Sequence, residues 1–261
     1  MPRISLNKGV SLDYMECGDP NGSPMLFIHG YNDSMRVWDL LRPYLPTDKR
    51  QIYVSLRGYG DSDKPESGYE MSDFMDDIVE FIEQRELSNI ILLGHSMGGF
   101  ISHQLALEYP QYVQKLVLIG TAPTGASSET IGGTDGDEID RLTDPVDPDY
   151  IRFAQTEQIM SPVDSDFIEG FLYETAKAPA RVWQLAMKGM ITEDHSDQLK
   201  NIQVPTLILF GDGDIFFNRD EQQQFLDAIP DSKLIVYPGV GHGIHWEIPE
   251  QCGKDISDFV G

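Results

Sequence analysis

Cysteine is scarce in this sequence: Cys17 and Cys252 are the two among 261 residues. They lie near opposite ends of the chain, with neither the paired spacing of a zinc site nor a Cys-x-x-Cys redox motif. This rules out a disulfide-stapled scaffold or thiolate metal cluster and predicts two free thiols. No run of eighteen consecutive apolar residues occurs, so no membrane-spanning helix is predicted. The polar start from Met1 to Lys8 lacks the apolar core of a secretory signal. Cytoplasmic placement is the expectation. Basic residues are also few, 19 Lys and Arg against 43 Asp and Glu, for a net charge of −24. So acidic a surface repels phosphate backbones and anionic lipid, arguing against nucleic-acid and membrane partners. It favours solubility, and high salt would screen its self-repulsion.

Apolar residues make up 40% of the chain and aromatics 10%, enough for a sizeable core. No internal repeat is present. Strand-like and helix-like apolar segments alternate, the pattern of a parallel sheet with crossover helices. A hairpin is predicted from Arg3–Leu6 and Ser11–Glu16, turning at Asn7-Lys8-Gly9. Strands are predicted at Met25–Ile28, Ile52–Leu56, Ile90–Leu93, Lys115–Ile119, Thr206–Phe210 and Lys233–Tyr237. Helices are predicted at Met35–Leu45, Ser72–Arg85 with Ser72 as N-cap, Gly99–Tyr109, Asp220–Ala228 and Pro249–Val260. From Pro123 to Tyr150 the chain is rich in Gly, Ser, Thr and Asp and reads as a mobile loop. Three helical stretches follow without an intervening strand: Pro148–Met160, Val163–Ala176 and Ala180–Ile191. The predicted fold class is α/β, a mostly parallel central sheet flanked by helices with an inserted helical cap. Residues 1–122 and 199–261 would form the sheet domain, and 123–198 the cap.

Gly94-His95-Ser96-Met97-Gly98-Gly99 contains G-x-S-x-G between an apolar strand and a helix, the setting in which that motif presents a serine on a tight turn. Small residues on either side let strand and helix approach. A phosphate-binding turn is the bland alternative, but no Lys follows the glycines and the dinucleotide spacing is absent. A serine hydroxyl needs a base in reach and a third group to orient that base. His242, in Pro238-Gly239-Val240-Gly241-His242 after the last strand, is the candidate base. Its rival His245 reads as a packed loop residue, and His242, His245 and Glu247 lack the helical spacing of a zinc site. No metal is predicted. Of the carboxylates in Gly211-Asp212-Gly213-Asp214, Asp214 is the candidate acid, with Asp212 shaping the turn. The other position for the acid, after Lys115–Ile119, carries no carboxylate.

Backbone N–H groups of Tyr31, in His29-Gly30-Tyr31-Asn32, and of Met97 fit the places of oxyanion donors. His95, beside the serine, and Trp183 and Met187 are candidate substrate contacts, although Trp183, Met187 and Met190 at helical spacing first suggest the cap's own core. His29, His103 and His195 read as structural.

Taken in order, His29-Gly30, Leu56 to Ser62, Gly94 to Gly99, Val204 to Asp214 and Gly241-His242 resemble the α/β-hydrolase superfamily over nearly the whole chain. By that resemblance Ser96, Asp214 and His242 match the triad and Tyr31 and Met97 the oxyanion positions. Arg57 to Pro65 also resembles epoxide hydrolases and haloalkane dehalogenases, whose aspartate nucleophile Ser96 replaces here. The expected activity is carboxylic ester hydrolysis through an acyl-enzyme without a cofactor, on a small-molecule ester or lactone. Two alternatives stay open: hydrolysis of a carbon–carbon bond in ring-cleavage products, whose enzymes share the Gly-x-Ser-Met-Gly-Gly pattern, and a non-catalytic small-molecule receptor.

Overall fold

The structure, a computed structural model, describes residues 2–125 and 136–261. Eight strands form one sheet in the order β1-β2-β4-β3-β5-β6-β7-β8. They are β1 Arg3–Ser5, β2 Ser11–Gly18, β3 Pro24–Ile28, β4 Arg50–Val54, β5 Ile90–His95, β6 Val113–Ile119, β7 Thr206–Gly211 and β8 Ser232–Tyr237. β1 pairs antiparallel with β2, and β2 antiparallel with β4. All later pairings are parallel.

The helices are α1 Met71–Gln84, α2 Met97–Glu108, α3 Gly136–Asp140, α4 Pro148–Thr156, α5 Ser165–Thr175, α6 Ala180–Ile191, α7 Arg219–Ala228, α8 Ile244–Glu247 and α9 Pro249–Val260. The unbroken apolar run of β3 reflects burial on both faces. Leu26 and Ile28 join the core with Phe74 of α1 and Phe100 of α2, while Met25 and Phe27 point the other way, toward Trp38, Trp246 and Cys252. Both cysteines are free.

Several local expectations change. The helix predicted over Met35–Leu45 is two 3-10 turns, Met35–Trp38 and Arg42–Tyr44. Pro43 has no N–H to continue an α-helix, and the Ser34 hydroxyl caps the first turn by accepting from Arg36 N at 3.2 Å. α1 is capped by Glu70 rather than Ser72, because Asp73 reaches back to accept from Glu70 N at 3.1 Å. α4 stops at Thr156, short of Met160. Beyond it the Met160 and Ser161 N–H groups donate to Glu247 Oε2 at 3.1 and 2.8 Å, which a continued helix would forbid. Within the stretch read as a mobile loop, residues 126–135 lie outside the described residues, while Gly136–Asp140 is helical. The segment after Gly243, expected to be loop, forms α8. Among the described residues no helix is long and apolar enough to cross a membrane.

The order of β4, β3 and β5 matters for the site. The chain steps from β3 to β4 on one side and returns to β5 on the other, and such a reversal opens a crevice at the C-terminal strand ends. His29 to Asn32 follow β3, Ser96 follows β5, Asp214 follows β7 and His242 follows β8.

Candidate active site

Ser96 stands between β5 and α2 with φ 51° and ψ −121°, a conformation that costs a side-chain-bearing residue energy. Its surroundings hold it there. Ser96 N donates to Ile119 O at 3.0 Å, and its carbonyl accepts from Gly99 N at 2.8 Å and from Thr121 Oγ1 at 2.9 Å. A Cβ on Gly98 would lie 2.3 Å from Ile28 O, and one on Gly94 2.3 Å from Gly98 O. The glycines of the motif therefore permit backbone-to-backbone contact between β3, β5 and α2.

His242 Nδ1 lies 2.8 Å from Asp214 Oδ2, with the histidine side chain 5% exposed and the carboxylate fully covered. Asp214 Oδ1 accepts from the Phe216 and Phe217 N–H groups at 2.8 and 3.2 Å. A carboxylate so occupied has one oxygen left for the imidazole, which fixes the proton on Nδ1 and leaves Nε2 as acceptor. Asp212 Oδ1 instead accepts from Gly239 N at 2.6 Å and closes the turn after β8.

Ser96 and His242 line one cleft of about 670 Å³, its open mouth included. Tyr31, His95, Trp183 and Met187 line the same cleft. Met97 is buried as the first residue of α2, in the turn whose N–H groups lack intrahelical acceptors. The Gly30 backbone lies close to the serine, since a Cβ there would come 3.1 Å from Ser96 Cβ. Trp183, Met187 and Met190 of α6 are at once buried in the hydrophobic core and part of the cleft wall.

The remaining histidines are buried. His29 Nδ1 donates to Gly30 O at 2.8 Å and Nε2 accepts from Leu56 N at 2.9 Å; burial brings its pKa to about 4. Burial also lowers the pKa of His95, despite Asp33 Oδ2 at 3.6 Å from its Nδ1, so the ring is neutral near pH 7. His245 packs its ring 4.4 Å from that of Trp38, and burial holds it well below the ordinary histidine value. Glu247 Oε2 is occupied by backbone donors, Gly241 N at 3.2 Å among them. His103 and His195 contact each other at 2.9 Å, far along α2 from the serine.

Sequence patterns left the polar wall of the cleft unseen. Asn32, with φ 59°, receives at its carbonyl a hydrogen bond from Thr175 Oγ1 at 2.9 Å and another from Gln155 Nε2 at 3.3 Å. Tyr31 OH donates to Trp183 O at 2.7 Å. The loop after β3 is thus tied to α4, α5 and α6 by three hydrogen bonds across more than a hundred residues of sequence. Phe216 and Phe217, two and three residues after Asp214, also line the cleft.

Comparison with known proteins agrees with this architecture. A family model described as alpha/beta hydrolase fold matches residues 23–249. The 2-(acetamidomethylene)succinate hydrolase of Mesorhizobium japonicum is 30% identical over 99% of this chain and 94% of its own. The bifunctional esterase/perhydrolase DCH of Acinetobacter calcoaceticus is 27% identical over 100% of this chain and 99% of its own. The solved esterase EaEST of Exiguobacterium antarcticum superposes with a TM-score of 0.89 at 27% identity, covering 99% of this chain and 98% of that one.

Proposed function

The chain belongs to the alpha/beta hydrolase family, and from that premise we propose that it is a serine hydrolase of small-molecule carboxylic esters, lactones included. Ser96 is the nucleophile, His242 the general base and Asp214 the residue that orients it. The Asp214–His242 contact of 2.8 Å carries this reading, because it leaves Nε2 unprotonated on the cleft that Ser96 lines. Esterases among the similar proteins support it.

In the proposed sequence Ser96 Oγ adds to the ester carbonyl carbon as its proton passes to His242 Nε2. The backbone N–H groups of Tyr31 and Met97 hold the oxyanion. The tetrahedral species collapses, the alkoxide leaves with the proton from Nε2, and Ser96 is acylated. Water then gives its proton to Nε2 and adds to the acyl carbon, and return of the proton to Ser96 Oγ frees the carboxylic acid. Helices α3 to α6 act as a cap over this chemistry.

Incubation with a fluorophosphonate tests the assignment. One equivalent is expected to react, with peptide mass spectrometry locating the adduct on Ser96. Labelling of another residue, or none in a folded sample that hydrolyses esters, would overturn the serine mechanism.

The hydroxyl of Thr175 has a positioning role in this scheme, since it holds the Asn32 carbonyl next to the Tyr31 donor. Thr175→Val is expected to lower kcat by about tenfold with little change in KM, a fraction of the roughly 10²–10³-fold loss that follows complete removal of an oxyanion donor. Thr175→Ser is expected to restore kcat. Equal losses in the two variants would assign the residue to packing alone.

A further inference from the structure

The cleft is lined in part by apolar side chains, Met187, Met190, Phe216 and Phe217 among them. Its lining also includes buried polar atoms that have no protein partner: the acceptors Asn32 Oδ1 and Gln158 Oε1 and the indole donors Trp183 Nε1 and Trp246 Nε1. All four residues are at most 4% exposed. A buried polar group left unpaired costs about 1–3 kcal/mol, so such atoms mark where a ligand makes its hydrogen bonds.

The orientation of Gln158 is fixed. Its Nε2 donates to Gln155 O at 3.2 Å, so the atom left without a partner is the acceptor Oε1. The Trp183 and Trp246 indoles can only donate. Unpaired acceptors and donors in one cleft complement a group that itself both donates and accepts without charge, the description of a secondary amide.

Charge narrows the choice further. Among the described residues lining the cleft none is Lys or Arg, while Asp33 and Glu157 are present. The sequence of residues 126–135 also contains no Lys, Arg or His. Any positive charge on His242 already faces Asp214, and burial keeps His95 neutral. A carboxylate entering here would be desolvated with no cation to meet it, in a protein of net charge −24.

We propose that the substrates are uncharged esters whose acyl arm bears a secondary amide, received by Gln158 Oε1 and an unpaired indole N–H of the cleft. This rests on the serine hydrolase reading for which bond is cut, but not for what the cleft binds. It disfavours the carboxylate-bearing ring-cleavage products that remained open on sequence grounds.

Binding separates the two claims. The Ser96→Ala protein, which would leave esters intact, is titrated with methyl 4-acetamidobutanoate, methyl hexanoate and monomethyl glutarate, followed by the fluorescence of Trp183 and Trp246. The amide ester is expected to bind about tenfold more tightly than hexanoate, and the glutarate at least about a hundredfold more weakly than the amide ester. Gln158→Leu in the same background is expected to bring the amide-to-hexanoate ratio to about one. Equal affinities for the three ligands, or preference for the glutarate, would overturn the proposal even if Ser96 is the nucleophile. The expected order in a protein whose wild type cleaves none of the three would retain the amide-binding cleft and remove the esterase reading.

Discussion

Asp214→Asn is expected to lower kcat by about 10⁴-fold with little change in KM, and Ser96→Ala to lower kcat/KM by about 10⁴-fold or more. The aspartate prediction follows from which atoms face which. Oδ1 accepts from the Phe216 and Phe217 N–H groups, so in an asparagine the carbonyl oxygen must stay on that side. The amide nitrogen then takes the place of Oδ2, 2.8 Å from His242 Nδ1. An NH₂ there donates, so Nδ1 becomes the acceptor and the imidazole proton moves to Nε2. A base protonated on the side facing Ser96 cannot take the serine's proton. The shape of the site is preserved, which is why KM should hold. Steady-state kinetics on p-nitrophenyl butyrate, with circular dichroism to establish folding, check both variants. Retention of more than about a tenth of the wild-type kcat by Asp214→Asn would show that His242 is not the base or that another group orients it.

The parts of the site legible in the sequence are those fixed by local chain geometry. Gly94 to Gly99 had to turn sharply between an apolar strand and a helix, and they do. Asp214 could be set apart from Asp212 by its distance beyond β7, and the hydrogen bonds of the two carboxylates differ accordingly. The continuous apolar runs of β3, β5 and β7 required burial on two faces, which the sheet supplies. The polar wall was illegible for a physical reason. Gln155 and Gln158 look like solvated helix residues until the end of α4 meets the loop after β3, and nothing local in Asn32 announces that Thr175 will hold its carbonyl. The short α8 was missed because its glycine-rich approach suggests a loop, whereas it is the burial of Ile244, His245 and Trp246 that organises it. Pro43 was a visible signal against the helix predicted over Met35–Leu45.

The close approach at the elbow leads to the second large effect. Gly98→Ala is expected to destabilise the protein by roughly 3 kcal/mol or more, a fall in melting temperature of about 6 °C or more for a chain of this size. The added Cβ would meet Ile28 O at 2.3 Å and His29 O at 2.6 Å. Both are backbone atoms of the β3 end, so no side-chain rotation relieves the contact, and α2 must move away from the sheet. Ser96 is the residue at which α2 begins, so the same displacement shifts the nucleophile relative to His242 and should lower kcat by about 10²-fold in whatever fraction remains folded. At Gly170, inside α5, an added Cβ would meet nothing within 4 Å. There the helix propensity of alanine acts alone, and Gly170→Ala is expected to stabilise by about 0.5–1 kcal/mol. Thermal denaturation of the two variants beside wild type reads both signs. A Gly98→Ala protein that melts within a degree of wild type and keeps its kcat would mean that α2 is free to recede from β3 without disturbing Ser96, and that the glycine is not what holds the serine in place.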